Sequence, residues 1–352
     1  MSIQTIFYKC ALNGLYYSGA HHALKNQFRG VGALLTLHHV QPELGEDRFA
    51  PNRILSVTPE FLDRTIERIR DLSYDIVALD EVQRRLIEKD FRKPFVSFTL
   101  DDGYADNYVH SFPVFRKHRV PFTIYLCTGL MDGSADPWWS TLEEIVLKQQ
   151  SLEVTLDGVR QVFTAESTRE KYRAFESIYW ALRQMPLAAQ LATMRDLREE
   201  YLGDADAHAS PAEYLSPEMI AEMQASGLLT IGAHTVNHHA LSKLSDDELR
   251  DEMSRGRDVL EQQTGERPSH FAYPYGDAGS AARREFEMAE ELGFQTAVST
   301  RKGVLFPEHG EHLHALPRIS LNGDYQQTRN VELFLGGVPF ALFHRFRRLD
   351  VS

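Results

Sequence analysis

The chain alternates between short apolar runs, which predict buried strands, and longer segments with apolar residues at helical spacing. The apolar runs cover residues 32–40, 94–100, 121–127, 228–233, 269–273 and 295–299. Thr58 followed by Pro59 predicts the start of one helix, and a capping box from Ser245 to Glu248 predicts the start of another. Because strands and helices alternate, the pattern predicts parallel βαβ units, and a barrel of this kind carries its chemistry at the carboxyl ends of its strands.

Residues 130–215 interrupt this alternation. They contain a predicted hairpin around residues 154–159 and a helical stretch from about 168 to 201. We therefore predict an insertion into the barrel. The predicted organisation is an N-terminal extension at 1–31, a barrel domain at 32–320 that holds the insertion, and a C-terminal segment at 321–352.

Composition and charge narrow the class of protein. The 352 residues are 43% hydrophobic and 25% charged, which is typical of a globular protein with a sizeable core. Lys and Arg number 38 against 50 Asp and Glu, and this net charge of −12 argues against a nucleic-acid partner. Cys10 and Cys127 lie far apart, so neither a disulfide framework nor a thiolate metal site is expected. Any metal would be held by histidines and carboxylates.

The sequence predicts no transmembrane span, because no run reaches the roughly 18 apolar residues that a span requires. The first residues lack a basic stretch followed by an apolar one, which favours a cytoplasmic location. Residues 331–348 are apolar and aromatic and end in Arg345, Arg347 and Arg348. We expect this segment to pack on its own domain, and peripheral membrane contact stays open as the alternative.

Three polar clusters follow predicted strands: Asp101-Asp102-Gly103, His234 through His238, and Tyr273 through Gly276. Each taken alone has an ordinary explanation, since Asp-Asp-Gly is common in turns and a histidine pair four residues apart is common on helices. Their shared position at strand ends instead favours one site. Two imidazoles and one carboxylate leave coordination positions open for water and substrate, as a hydrolytic metal requires.

The clusters also resemble the ordered motifs of a known family. FTLDDGYADN, GAHTVNHHALSKLS, FAYPYG and LPRI are similar to motifs of the polysaccharide deacetylase family, also called the NodB-homology domain or carbohydrate esterase family 4, in its FAYPYG-type subgroup. The resemblance spans residues 32–320. It implies an α/β fold, a distorted (β/α) barrel of the NodB-homology type with the helical insertion. It also implies a hydrolase that removes N-acetyl groups from an amino-sugar-containing glycan or lipid-linked sugar and releases acetate.

The resemblance assigns roles to particular residues. It implies that Asp102, His234 and His238 bind one divalent metal ion, most often Zn²⁺. Asp101 would be the general base that deprotonates the attacking water. The Tyr275 N–H would stabilise the oxyanion, and His314 is the candidate to protonate the leaving amine.

The third motif departs from the family pattern. An Arg that orients the catalytic Asp often occupies the position of Ala272, and the fourth motif, an Asp and a Trp, is not recognisable. A catalytic carboxylate needs a partner to fix its rotamer, so we predict that Arg318 lies within hydrogen-bonding reach of Asp101. A surface ion pair is the alternative for Arg318.

Four further residues are candidates for binding an acetylated carbohydrate. The flat rings of Trp138 and Trp139 suit the apolar faces of sugars, with core packing of one of them as the alternative. Tyr273 ends a predicted strand, and Arg301 also lies at a strand end, where it is equally compatible with a structural role.

Two other functions stay open at this point. The same scaffold suits a deformylase, an O-acetyl esterase or a hydrolase of ring amides. The departures in the third and fourth motifs also suit a carbohydrate-binding pseudoenzyme, although the intact Asp101, Asp102, His234 and His238 argue against that reading.

Overall fold

The computed structural model describes residues 3–42, 49–156, 158–203 and 210–351. Its strands, in chain order, are β1 (Gly32–Leu37), β2 (His39–Val40), β3 (Ser56–Val57), β4 (Asp75–Ile76), β5 (Phe95–Leu100), β6 (Phe122–Leu126), β7 (Ser151–Leu156), β8 (Val159–Thr164), β9 (Leu229–Ala233), β10 (His270–Ala272), β11 (Thr296–Lys302) and β12 (Leu316–Ser320).

The α-helices connect and surround these strands. They are α1 (Ile3–Tyr17), α2 (Ala20–Phe28), α3 (Pro59–Asp71), α4 (Leu79–Glu88), α5 (Phe112–His118), α6 (Thr128–Asp132), α7 (Trp138–Lys148), α8 (Thr168–Gln184), α9 (Leu187–Leu202), α10 (Pro217–Ala225), α11 (Asp246–Thr264), α12 (Arg283–Glu291), α13 (Thr328–Leu335) and α14 (Val338–Phe343). Short 3₁₀ or π turns cover Pro51–Leu55, Asn107–Ser111, Pro211–Glu213, Leu241–Lys243 and Pro307–Glu311.

Seven parallel strands close into a barrel. Their order is β1-β12-β11-β10-β9-β6-β5, and β5 pairs again with β1 from Gly32↔Phe95 to Leu37↔Leu100. The two-residue strand β4 adds to β5 outside the ring, through Asp75↔Phe95 and Ile76↔Val96. The expected distorted (β/α) barrel is therefore confirmed, with seven strands in its ring.

Burial explains why the barrel strands are continuous apolar runs. Every residue of β1, β5 and β6 is buried, because one face of each strand fills the barrel and the helices cover the other. Gly32 allows β1 to approach β5 closely, since a Cβ at this position would lie 2.6 Å from the Phe95 ring. The hydrophobic core thus occupies the barrel and the layer beneath its helices.

The predicted helix starts are present. The Thr58 hydroxyl accepts a hydrogen bond from the Phe61 N–H at 3.1 Å, and Pro59 is the first residue of α3. Ser245 and Glu248 form the predicted capping box of α11. These caps satisfy main-chain donors that have no acceptor within their own helix.

The residues of the predicted insertion form a satellite with its own apolar core. The antiparallel hairpin β7–β8 packs with α7, α8 and α9, and the helical stretch is two helices that separate at Pro186. Trp138, Leu152, Phe175 and Met194 are among the buried members of this core. The domain boundaries drawn from the sequence stay a prediction.

Helices near the two ends of the described chain lie against each other. The sequence predicted no element before residue 32, whereas α1 and α2 occupy most of that segment and α2 packs on α14. Within 331–348, Val331, Leu333 and Val338 are buried, as expected for a packed segment, but the side chains after residue 341 are largely exposed. No helix among the described residues is long and apolar enough to cross a membrane.

Candidate active site

The chemistry-bearing residues meet at the carboxyl ends of the barrel strands. Asp101 and Asp102 follow β5, His234 follows β9, and Tyr275 lies three residues beyond the end of β10. Main-chain hydrogen bonds also link neighbouring strand ends, since the His234 N–H, just after β9, donates to the Leu126 carbonyl at the end of β6. Parallel strands therefore bring together residues that are more than a hundred positions apart in sequence.

Asp102, His234 and His238 form a compact cluster. Asp102 Oδ1 lies 3.1 Å from His238 Nε2 and 3.3 Å from His234 Nε2. One ligand atom from each residue lies within 4.8 Å of those of the other two, and all three residues are buried. Burial opposes charge on Asp102, but the two imidazoles outweigh it and hold the pKa of Asp102 well below its usual range.

The hydrogen bonds of this cluster fit a metal site. His234 Nδ1–H donates to the Ala272 carbonyl at 2.7 Å, which directs the lone pair of Nε2 towards Asp102. Asp102 Oδ1 is buried and has no hydrogen-bond partner in the described part of the chain. A carboxylate oxygen that faces two imidazole nitrogens at these distances suits a shared divalent cation.

Arg318 binds Asp101 through two hydrogen bonds, as the sequence predicted. Its Nη1 donates to Asp101 Oδ1 at 2.7 Å and its Nη2 donates to Oδ2 at 2.6 Å. Nε donates to the Ser299 carbonyl at 2.9 Å and Nη1 also donates to Thr99 Oγ1 at 3.2 Å. Burial would raise the pKa of Asp101, but the guanidinium outweighs burial and holds it below its usual range. The contact gives Asp101 one fixed orientation.

Left-handed backbone conformations cluster at this site. Asp102, Thr235, His238 and Tyr275 have φ values of 73°, 67°, 56° and 61°. Such values are costly for residues with a side chain and persist where the surrounding structure holds them. The turns after β5, β9 and β10 therefore aim side chains and main-chain groups in directions that ordinary turns do not provide.

Tyr275 is held from several sides. Trp138 Nε1–H donates to its hydroxyl at 2.8 Å, and the Arg183 guanidinium lies 3.8 Å from its ring centroid. Its carbonyl accepts from Thr300 Oγ1 at 2.6 Å, whereas its N–H has no acceptor among the described residues. Gly276 must follow, because a Cβ there would lie 2.6 Å from the Thr300 nitrogen. A free, fixed N–H is suited to stabilising an oxyanion.

Two aromatic side chains border the His–Asp cluster. The Trp139 ring lies 4.8 Å from the His238 ring, centroid to centroid. The Tyr104 ring is stacked between His39 at 3.7 Å and Tyr214 at 5.2 Å. Burial raises the pKa of Tyr104 well above its usual range, and its buried hydroxyl has no partner among the described residues. Tyr104 therefore offers a protonated donor to a ligand.

The tryptophans differ in their surroundings. Trp138 is only 5% exposed and stacks on Tyr179 at 4.9 Å, so it supports Tyr275 and does not present an open face to a sugar. Trp139 borders the cluster itself and is 6% exposed. Its role in substrate binding stays a prediction.

Three residues predicted for the site lie elsewhere. His314 precedes β12, and its Nε2 contacts the Phe294 carbonyl, before β11, at 2.7 Å, so the imidazole is at the amino ends of these strands. Tyr273 is fully buried and donates its hydroxyl to the His314 carbonyl at 2.9 Å. Arg301 donates to the Asp350 carboxylate at 3.1 Å and to the Ala281 carbonyl. The strand-end positions of Tyr273 and Arg301 in the sequence did not reveal that these two side chains are engaged away from the His–Asp cluster.

Three further residues, His38, Tyr104 and Tyr214, lie near the site. His38 follows β1, and its Nε2 lies 3.9 Å from Asp101 Oδ2, so it replaces His314 as the imidazole near the candidate base. Tyr104 was not predicted, although its position directly after Asp101-Asp102-Gly103 was a usable signal. Tyr214, which stacks on it, comes from the far end of the insertion and had no sequence signal.

Comparison with known proteins agrees with this geometry. The family model described as Polysaccharide deacetylase matches residues 88–297, so the chain belongs to the polysaccharide deacetylase family. No protein of curated function matches the chain. The FAYPYG-type subgroup stays a prediction.

Solved structures with the same fold include a deacetylase, a de-N-acetylase and the protein IcaB. Streptococcus pyogenes deacetylase PplD in complex with acetate has a TM-score of 0.56 at 19% identity, covering 86% of this chain and 97% of its own. A de-N-acetylase from Aggregatibacter actinomycetemcomitans has 0.55 at 14% identity, covering 86% and 99%. IcaB from Ammonifex degensii has 0.54 at 18% identity, covering 87% and 97%. At these identities the likeness shows the shared barrel fold.

Proposed function

We propose that this protein is a metal-dependent hydrolase that removes N-acetyl groups from an amino-sugar-containing glycan or lipid-linked sugar. The observation that carries the proposal is the buried Asp102, His234 and His238 cluster beside an Asp101 fixed by Arg318. The relatives with the same barrel are described as deacetylases and a de-N-acetylase, which supports this class of reaction. A cytoplasmic location stays a prediction.

Asp102, His234 and His238 would hold one divalent ion, for which Zn²⁺ is our choice because two imidazoles and one carboxylate are common zinc ligands. When bound, such an ion supplies Lewis acidity towards a water molecule and the acyl oxygen. The Ala272 carbonyl fixes the tautomer of His234 that leaves Nε2 free to coordinate.

The surrounding residues would move protons and stabilise charge. Asp101 accepts a proton from the attacking water, and the fixed N–H of Tyr275 donates to the acyl oxygen as negative charge develops on it. The C–N bond then breaks, and the departing nitrogen takes one proton. We propose that the proton accepted by Asp101 returns through His38, whose Nε2 lies 3.9 Å from Asp101 Oδ2. The products are acetate and a free amine.

A substrate panel tests this function and separates it from the related activities. The purified chain, supplied with one equivalent of Zn²⁺, is incubated with N-acetylated, N-formylated and O-acetylated amino sugars of several lengths. We expect acetate and primary amine to appear in equal amounts from the N-acetylated members. Formate release alone would identify a deformylase, and acetate without amine would identify an esterase. Binding without any product would support a carbohydrate-binding pseudoenzyme.

A further inference from the structure

The acidic residues of this chain are unevenly distributed. Residues 1–31 and 333–349 contain none of the 50 Asp and Glu. The same two segments carry six cations, namely Lys9, Lys25, Arg29, Arg345, Arg347 and Arg348. They therefore have a charge of +6, whereas the rest of the chain has −18, which together give the net −12. Both ends of an acidic protein are thus basic.

The fold brings these two segments together on one side of the barrel. The Phe28 ring at the end of α2 lies 5.8 Å from the Phe346 ring, centroid to centroid. Gly337, just before α14, allows this approach, because a Cβ there would lie 1.9 Å from the Phe28 carbonyl oxygen. The exposed side chains of α1, α2 and residues 342–348 form what we call the terminal surface.

Large apolar side chains are exposed on the terminal surface. Phe7 is 69% exposed, Tyr17 72%, Phe343 56% and Phe346 62%. A single exposed apolar residue is ordinary, but several in neighbouring segments mark an interaction site. Arg345 and Arg347 lie among them, with no carboxylate within 4.0 Å in the described ranges.

An apolar groove opens between the two segments. Its volume is about 620 Å³, and its lining includes Leu24, Phe28, Val338, Phe340, Arg347 and Arg348. Apolar walls with guanidinium groups beside them match a molecule with hydrocarbon chains and an anionic headgroup.

We propose that the terminal surface docks on an anionic phospholipid bilayer. The aromatic rings would enter the interfacial layer while the arginines contact lipid phosphates. A second copy of this chain is a poor occupant, because two surfaces that each carry Lys25, Arg345 and Arg347 without a facing carboxylate among the described residues would repel each other. The proposal does not depend on the hydrolase activity, because none of its residues belongs to the Asp102 cluster. It would place the enzyme beside substrates at a membrane surface.

Vesicle co-sedimentation of the full chain tests the proposal. Vesicles of phosphatidylcholine with about 30% phosphatidylglycerol provide the anionic surface, and pure phosphatidylcholine vesicles provide the neutral one. We expect the chain to sediment with the anionic vesicles and to be released as salt rises from about 0.1 M to about 0.5 M. Replacing two arginines in R345Q/R347Q should lower the partition coefficient about 30-fold, at roughly 1 kcal/mol for each cation.

Matched variants keep the test specific. R255Q/R283Q removes the same charge from exposed positions on α11 and α12 and should bind like the wild-type chain. F343S/F346S should weaken binding at least tenfold, whereas Trp180→Ser, at a 58% exposed position on α8, should not. Thermal unfolding checks that each variant is folded.

Three results would overturn the proposal. One is the absence of vesicle binding by the wild-type chain. Another is equal loss of binding in R345Q/R347Q and R255Q/R283Q, which would indicate a general charge effect. The third is self-association in the absence of vesicles that F343S/F346S abolishes, which would identify the terminal surface as a contact between copies.

Discussion

Arg318 in β12 holds both carboxylate oxygens of Asp101, which follows β5, and the two side chains meet inside the mouth of the barrel. Arg318 thereby takes the orienting place that the family pattern often gives to an Arg at the position of Ala272. The main chain of Ala272 orients a different residue, because its carbonyl accepts the hydrogen bond from His234 Nδ1–H. The candidate base and a candidate metal ligand are thus fixed by different strands.

Arg318→Lys tests the orientation of Asp101. Lysine keeps one positive charge but cannot donate to both carboxylate oxygens in a fixed plane, so Asp101 gains rotational freedom. We expect kcat to fall by about 10²-fold with one metal ion per chain retained. Wild-type kcat in this variant would contradict the orienting role. Arg318→Ala is less informative, because an unpaired buried carboxylate costs about 3–5 kcal/mol of stability.

Asp101→Asn separates the base from the metal ligands. The amide cannot accept a proton from water, so we expect kcat to fall by about 10²–10⁴ with metal content unchanged. Asp102→Asn is the matched variant and should lose metal instead. Elemental analysis of both proteins, beside acetate release, distinguishes the two carboxylates. Metal loss in Asp101→Asn comparable to that in Asp102→Asn would mean that their roles are exchanged.

Gly276→Ala tests the position of the Tyr275 N–H. The new Cβ would lie 2.6 Å from the Thr300 nitrogen, so the turn after β10 must shift. Displacing one oxyanion donor should lower kcat by about 10²–10³. Gly265→Ala is the control, since Gly265 also has a positive φ, 75°, but open space where its Cβ would lie. If both variants lose kcat equally, backbone strain and not the donor is responsible.

We expect the stability of the fold to depend on pH through His309, which lies outside the candidate active site. Burial lowers its pKa to about 4, and the neutral ring accepts the Phe306 N–H at Nδ1 at 2.9 Å. The imidazole of His309 takes up a proton at higher pH in the unfolded chain than in the folded one. The neutral ring therefore contributes fully to the free energy of unfolding above about pH 6.5, and this contribution is lost as pH falls towards 4. It amounts to about 3 kcal/mol over that range.

His309→Asn removes that titration and keeps an acceptor near Phe306. Urea unfolding at several pH values should show that the wild-type chain loses more unfolding free energy than the variant between pH 6.5 and 4. The same loss in both proteins would exclude His309 as a source of the acid sensitivity.

The barrel was predictable because its signals are local. Apolar runs of five to nine residues and caps such as Thr58 and Ser245 identify elements without knowledge of their partners. The N-terminal helices were missed because apolar residues such as Phe7 and Tyr17 point to solvent, so the segment lacks a clean buried face. The insertion was recognisable because the alternation of strands and helices stops there. Its aromatic core was not predictable, because it forms only through contacts between residues distant in sequence.

The site was predictable where motif and strand end coincide, as for Asp102, His234 and His238. The Arg318 contact could be inferred as well, because a carboxylate predicted to act as a base requires a partner that fixes its rotamer. His314 was placed wrongly because its role came from the family resemblance alone, whereas a residue that directly precedes a parallel strand lies at the amino end of the barrel, away from the carboxyl ends that form the site. Tyr214 reaches the site from a long insertion, and no local pattern encodes that contact.

We propose that a metal ion held by Asp102, His234 and His238 is required for hydrolysis of an acetamide. The most direct measurement titrates Zn²⁺ into metal-free protein while acetate release from an N-acetylated amino-sugar oligomer is recorded, with His238→Ala in parallel. We expect activity to rise linearly and to saturate at one ion per chain, and we expect His238→Ala neither to retain the ion nor to release acetate. Full activity in the metal-free protein, or in His238→Ala, would contradict it.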